Sequence, residues 1–223
     1  MARRRTRPAL LAALLVGTTL AVGCGGDVPG GDTAAASAQR SLSGLVRTPT
    51  PTIALEPVTD IDGQSFTFRA EPGHLQLLYF GYLSCPDVCP TTFADLQAAL
   101  QELGPEAAAV DTALVTIDPA RDTAENVRSY LDHFVDGGRG LIITEPDRLQ
   151  AVADEFGATY AVETVDGVVE VSHSAFVYVL DEQGRLLVQW PFGTPAGDMA
   201  ADLRQLAPAA GSRTDAALTA VER

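Results

Sequence analysis

The sequence predicts one α/β domain with a central mixed sheet flanked by helices. Two observations carry that expectation. Apolar runs of strand length alternate with segments of helical periodicity, and Gly, Pro or Asp marks most of the junctions. Residues 51–208, between low-complexity ends, are the size of a domain with its own core.

In order, Ser65 to Arg69 is expected as a short strand in an N-terminal hairpin. Leu75 to Tyr82 is a continuous apolar run, the pattern of a strand buried on both faces. Pro90 to Leu103 should be helical, because Phe93, Leu96, Leu100 and Leu103 follow 3.6-residue spacing and Gly104-Pro105 stops it. Val110 to Ile117 predicts a second buried strand, and Thr123 to Phe134 a helix ending near Gly137-Gly138. Leu141 to Thr144 predicts a short strand, and Asp147 to Phe156 a helix closed by Gly157. Thr159 to Val171 is expected as a late hairpin turning at Asp166-Gly167. Ala175 to Leu180 and Arg185 to Trp190 predict strands, and Asp198 to Leu206 a final helix. A β-α-β start, a late hairpin and a closing helix match the thioredoxin-like order.

The ends have another character. Arg3, Arg4, Arg5 and Arg7 precede an apolar stretch from Ala9 to Val22, too short for a comfortable membrane span. Residues 1–23 are therefore expected to be a signal peptide. Leu20-Ala21-Val22-Gly23-Cys24 resembles a bacterial lipobox, with lipid expected on Cys24 after cleavage. Residues 24–50, rich in Gly, Ala, Ser, Thr and Pro, predict a flexible tether with a reach of roughly 25–30 Å. Residues 209–223 predict a disordered tail. The expected location is extracytoplasmic, anchored to the outer face of the cell membrane through Cys24.

Charge narrows the partners. Without the four leader arginines, 11 basic residues face 29 acidic ones, a net charge of −18, and the chain has no lysine. This composition argues against nucleic acid binding and against electrostatic adhesion to anionic lipid. Membrane attachment would have to come from the lipid.

The chemistry concentrates in Tyr79-Phe80-Gly81-Tyr82-Leu83-Ser84-Cys85-Pro86-Asp87-Val88-Cys89-Pro90. Cys85 falls in the loop after a strand, and Cys89 at the start of a helix. Exposed N–H groups and the helix dipole there lower thiol pKa values, so one or both sulfurs are expected to be thiolate-prone. Such a pair can hold a soft metal, form a disulfide, or act as nucleophile and resolving partner. A plain stabilising disulfide is the weaker reading, since so small a loop contributes little entropy. Among the three histidines, His74 falls in a turn and His133 at a helix end. His173 just precedes a buried strand, where a thioredoxin-like sheet could bring it to the dithiol. Two thiolates and an imidazole suit Cu(I), Cu(II) with an added ligand, or Zn(II).

These residues resemble the Sco/SenC family of copper-binding thioredoxin-like proteins. The resemblance rests on Gly81-Tyr82 through Cys85-Pro86-Asp87-Val88-Cys89-Pro90, on Thr116-Ile117-Asp118-Pro119-Ala120-Arg121-Asp122-Thr123, and on His173-Ser174 followed by Tyr178-Val179-Leu180-Asp181. It implies that Cys85, Cys89 and His173 bind copper, as Cu(I) or Cu(II). It further implies a metallochaperone assisting assembly of the binuclear copper centre of cytochrome c oxidase subunit II, with an upstream copper donor or thiol reductant as a further partner. The alternative is a thiol-disulfide oxidoreductase using Cys85 and Cys89. Asp118, Pro119 and Asp122 are expected to be structural, with Pro119 shaping the loop and Asp122 or Thr123 capping the next helix. Arg121 and Asp87 are candidates for partner contact or for tuning thiolate charge. Ser172 replaces the family's frequent Asp before the histidine, Leu83-Ser84 a Thr-containing pair, and Gly140 to Thr144 departs from a Gly-Leu-Thr-Gly pattern.

Overall fold

The computed structural model describes residues 41–207. The expected signal peptide, the Cys24 lipidation site, most of the expected tether and the tail lie outside the described residues. Nine strands, β1 to β9, and three helices, α1 to α3, run in the order β1(Val58–Thr59), β2(Ser65–Phe66), β3(Leu75–Gly81), α1(Val88–Leu103), β4(Val110–Thr116), α2(Ala124–Phe134), β5(Arg139–Leu141), α3(Pro146–Phe156), β6(Tyr160–Val165), β7(Val168–His173), β8(Phe176–Leu180) and β9(Leu186–Pro191). A further helix, α4, covers residues 196–207.

The central sheet has the order β5-β4-β3-β8-β9. β3, β4 and β5 are parallel, and β8 and β9 join antiparallel. β3 is buried at every residue, as its unbroken apolar run requires. Its alternation divides the core. Leu75, Leu77 and Tyr79 pack with Phe93 and Leu96 of α1, Val127 and Leu131 of α2, and Met199 and Leu203 of α4. Leu78 and Phe80 point the other way, to Val152 and Phe156 of α3 and to Phe66 and Phe68. The fold is the mixed sheet between helices that the alternation predicted.

Boundaries differ for local reasons. α1 starts at Val88, two residues ahead of Pro90. Proline is tolerated there because N–H groups in the first turn have no intrahelical partner. The strand expected at Leu141 to Thr144 is shifted to Arg139–Leu141, where pairing with Ala113 to Val115 is available. The early hairpin is reduced to two paired residues on each side, Val58↔Phe66 and Thr59↔Ser65. Its turn is held by buried Asp60, which accepts from the N–H groups of Asp62 and Gln64 and from Arg139. The late hairpin, β6–β7, turns at Asp166 and Gly167, both with positive φ; such a turn matches the strand twist. β7 continues past the expected Val171 to His173.

Residues 43–53, partly within the expected tether, run antiparallel along β9. Leu45 bridges Gln189 and Thr52 bridges Arg185. Ser43 N–H donates to buried Asp202, which also accepts from the Trp190 indole at 2.9 Å. Gly44 permits this approach, since a Cβ there would lie 2.5 Å from the Gln189 carbonyl. The strap covers an otherwise open sheet edge.

Candidate metal centre

The site forms where β3 ends and α1 begins. After Gly81 the chain turns through Tyr82 to Ser84, and Cys85 N–H donates to the Tyr82 carbonyl at 3.3 Å. Asp87 occupies the N-cap position of α1 but its side chain makes no capping bond. The sulfur of Cys85 takes that place: it accepts from the N–H of Cys89 at 3.3 Å and from that of Asp87. Helix-start N–H groups need such an acceptor, and an ionised sulfur is the better one.

The two thiols are therefore unequal. Burial pushes Cys85 up, but the N–H groups of Cys89 and Asp87 and the Tyr82 hydroxyl outweigh it, and the thiol is held below its ordinary value. Cys89 is 2% exposed. Burial dominates there and pushes it up to about 12. Of the expected thiolate-prone pair, Cys85 has that character and Cys89 acquires it only when something replaces its proton.

His173 ends β7, paired with Tyr160. Its Nδ1 lies 3.1 Å from the Ser174 carbonyl. A carbonyl only accepts, so Nδ1 carries the proton and Nε2 keeps its lone pair. That Nε2 is 3.6 Å from Cys89 Sγ. Burial holds the imidazole pKa below its ordinary value, favouring the neutral ligand form. The rings of Tyr79 and Tyr82 each meet it edge-on at 5.9 Å. The orienting acceptor is a main-chain oxygen, which accounts for a site without the Asp that Ser172 replaces.

Ligand atoms of Cys85, Cys89 and His173 all lie within 4.8 Å of one another. With ligand bonds of about 2.3 Å to sulfur and about 2.0 Å to nitrogen, a trigonal ion spans a sulfur–nitrogen separation of about 3.7 Å. The Cys89–His173 separation of 3.6 Å meets that requirement. Two soft sulfurs and one imidazole fit a copper ion. His74 lies elsewhere, paired with Asp111 at 3.0 Å. His133 is exposed at the end of α2.

The second motif buttresses the first. Buried Asp122 accepts from the Thr116 hydroxyl and from Leu83 N–H at 3.3 Å, tying β4 to the loop before Cys85. Burial raises the Asp122 pKa, against the hydrogen bonds from Thr116 and Leu83. Thr123 is the residue that caps α2, accepting from Asn126 N–H at 3.3 Å. Arg121 pairs with Asp118, and the Asp87 carboxylate faces solvent and accepts from the Thr91 hydroxyl. Sequence reasoning assigned no role to Tyr79, Tyr82 or Gly81. The available signal was the strand period: Tyr79 shares a face with Leu77 and so lies under the start of α1. Gly81 is required there, because a Cβ would come within 2.6 Å of the Tyr79 ring and 3.2 Å of Cys89 Sγ.

Fold and site together define a thioredoxin-like dithiol protein with a built Cys–Cys–His ligand cluster. Residues 57–208 match the SCO1/SenC family model, and the chain belongs to that family. An SCO2-like protein of Rickettsia felis is 34% identical over 131 residues, covering 57% of this chain and 63% of that relative, under two thirds of its length. The copper-bound structure of Bradyrhizobium japonicum ScoI is 30% identical with a TM-score of 0.58, covering 67% of this chain and 95% of that one. A structure of BsSco, described as a member of the Sco family of cytochrome c oxidase assembly proteins, shares the fold at 17% identity and a TM-score of 0.57, covering 73% and 97%.

Proposed function

We propose that this chain is an extracytoplasmic copper chaperone that carries one copper ion on Cys85, Cys89 and His173. The observation that carries this reading is the meeting of three soft or borderline donor atoms within 4.8 Å, with His173 Nε2 turned toward Cys89. Family membership and the copper in the Bradyrhizobium japonicum relative support it. The cargo replaces the Cys89 proton and neutralises buried charge. Anaerobic copper titration of the reduced protein, followed by X-ray absorption, should give one copper with sulfur and nitrogen ligation. Unchanged affinity in both a Cys85→Ala/Cys89→Ala variant and His173→Ala would sink the proposal.

The destination we infer is the binuclear copper centre of cytochrome c oxidase subunit II. The support is the family, with BsSco described as belonging to a family of oxidase assembly proteins. Attachment through lipid on Cys24 is supported by the lipobox-like sequence; among the described residues no helix is long and apolar enough to cross a membrane. Loss of detergent-phase partitioning in Cys24→Ser tests the anchor, and copper transfer to isolated subunit II tests the destination.

A second reading has its own observation. Cys85 is the more exposed sulfur with its pKa held down, and Cys89 is buried beside it. That is the arrangement of an attacking thiolate and its resolving thiol. Forming the Cys85–Cys89 disulfide passes two electrons and two protons to a disulfide partner and removes both sulfur ligands, so the two roles exclude each other at any instant. Dithiol exchange that survives His173→Ala while copper binding does not would separate them.

A further inference from the structure

Tyr79 is a core residue of β3, 1% exposed, yet it touches two of the three ligands. Its hydroxyl lies 3.7 Å from Cys89 Sγ. Its ring meets the His173 imidazole at 5.9 Å with an interplanar angle of 81°. Phe93 of α1 packs edge-on to the same ring at 5.8 Å, and Gly81 leaves no room for a Cβ beside it. The ring is thus walled in, with its hydroxyl directed at the Cys89 sulfur. The other polar group there is the Thr92 hydroxyl. Thr92 gives its proton to the Val88 carbonyl at 2.8 Å, so it could only accept from Tyr79, and the hydrogen bond that the Tyr79 hydroxyl makes is the one to the Cys89 sulfur.

We propose that Tyr79 is a positioning residue for this centre. Its O–H donates to the Cys89 sulfur and its ring sets the His173 imidazole, so one side chain aligns ligands from distant parts of the sequence. A hydrogen bond donated to sulfur draws electron density from it. It favours the electron-rich reduced sulfur over the disulfide, and makes a bound thiolate a weaker donor to Cu(II). The second consequence rests on the copper reading above; the first does not.

Three variants of the full chain separate the parts. Tyr79→Phe keeps the ring and removes the hydroxyl. Tyr79→Leu removes both. Tyr130→Phe is the control, since it deletes a buried hydroxyl of α2 that has no hydrogen-bond partner. In metal-free protein, Cys85 and Cys89 thiols are equilibrated with glutathione disulfide, giving the Cys85–Cys89 disulfide and two glutathione thiols. Losing one modest hydrogen bond should shift this equilibrium about twofold to fivefold toward the protein disulfide in Tyr79→Phe. Tyr130→Phe should not shift it. With Cu(II) added, the sulfur-to-copper charge-transfer band should move to lower energy in Tyr79→Phe while nitrogen ligation persists. Tyr79→Leu should also weaken the nitrogen contribution. An unmoved equilibrium and an unmoved band in Tyr79→Phe overturn the proposal, and so does an equal shift in Tyr130→Phe. The glutathione measurement needs no metal, so failure of copper binding is told apart from failure of the Tyr79 role.

Discussion

Cys89 sits in the first turn of α1, 2% exposed, against a β3 strand that is buried throughout. His173 ends β7, in a hairpin whose Val162, Val165, Val168 and Val169 all face water. The first region is held by a strand, a helix and their shared core; the second by its own ladder and a turn. The cysteines are four residues apart and positioned by local chain geometry. The histidine, 84 residues beyond Cys89, is positioned by sheet pairing and ring contacts. The ligands therefore come from two parts of the fold that are held by different contacts.

The comparison can be broken most severely at the rigid side. Cys85→Ala/Cys89→Ala should abolish copper binding in the anaerobic titration while leaving the fold intact by circular dichroism. The exposed side comes next. Loss of a residue that only orients a ligand costs about 10–100-fold in metal affinity, so His173→Ala should exceed about 100-fold. Dithiol exchange with glutathione should survive, since both sulfurs remain, with the equilibrium moved only by loss of the 3.6 Å Cys89–His173 contact. Gly81→Ala sharpens the contrast: forcing a Cβ into the Tyr79 ring should cost about 1–3 kcal/mol in urea unfolding, because the packed core there has no slack.

Gly167→Val should act oppositely. Its φ of 81° strains any β-branched residue, yet the turn lies far from the core. Hydrogen exchange should accelerate in β6 and β7 and copper affinity should fall, while global stability changes by less than about 1 kcal/mol. The smallest effect concerns acid. Burial alone would raise the Asp60 carboxyl, but the N–H groups of Gln64 and Asp62 and the Arg139 guanidinium outweigh it and hold the pKa below the ordinary value. Stability from this group is present above the unfolded pKa and is lost as pH falls through the lower folded one, below about pH 4. Asp60→Asn should flatten the acid limb of a stability–pH curve without altering copper affinity at neutral pH.

Much of this was legible in the chain. The apolar run of β3, the 3.6-residue spacing of Phe93, Leu96 and Leu103, and Asp166-Gly167 at a turn each express a local preference that the core does not oppose. Two strand boundaries were not, because Arg139–Leu141 pairs where β4 offers partners and Ser65–Phe66 stops where Val58–Thr59 does. Of the two candidate caps, Asp122 and Thr123, Thr123 caps α2, while Asp122 ties Leu83 to Thr116, since burial beside the loop gave its carboxylate better donors.

By itself the sequence determined the class of fold and the dithiol at a strand-to-helix junction, because these follow from residue type and short-range spacing; His173 joined them as a ligand only through the family resemblance. Only the tertiary structure decided that Cys85 is the activated thiol and Cys89 the suppressed one, that His173 turns Nε2 rather than Nδ1 to the sulfurs, and that Tyr79 touches both Cys89 and His173. The reason is physical: pKa values, tautomers and ring contacts depend on what is buried beside a group, and those neighbours come from far along the chain.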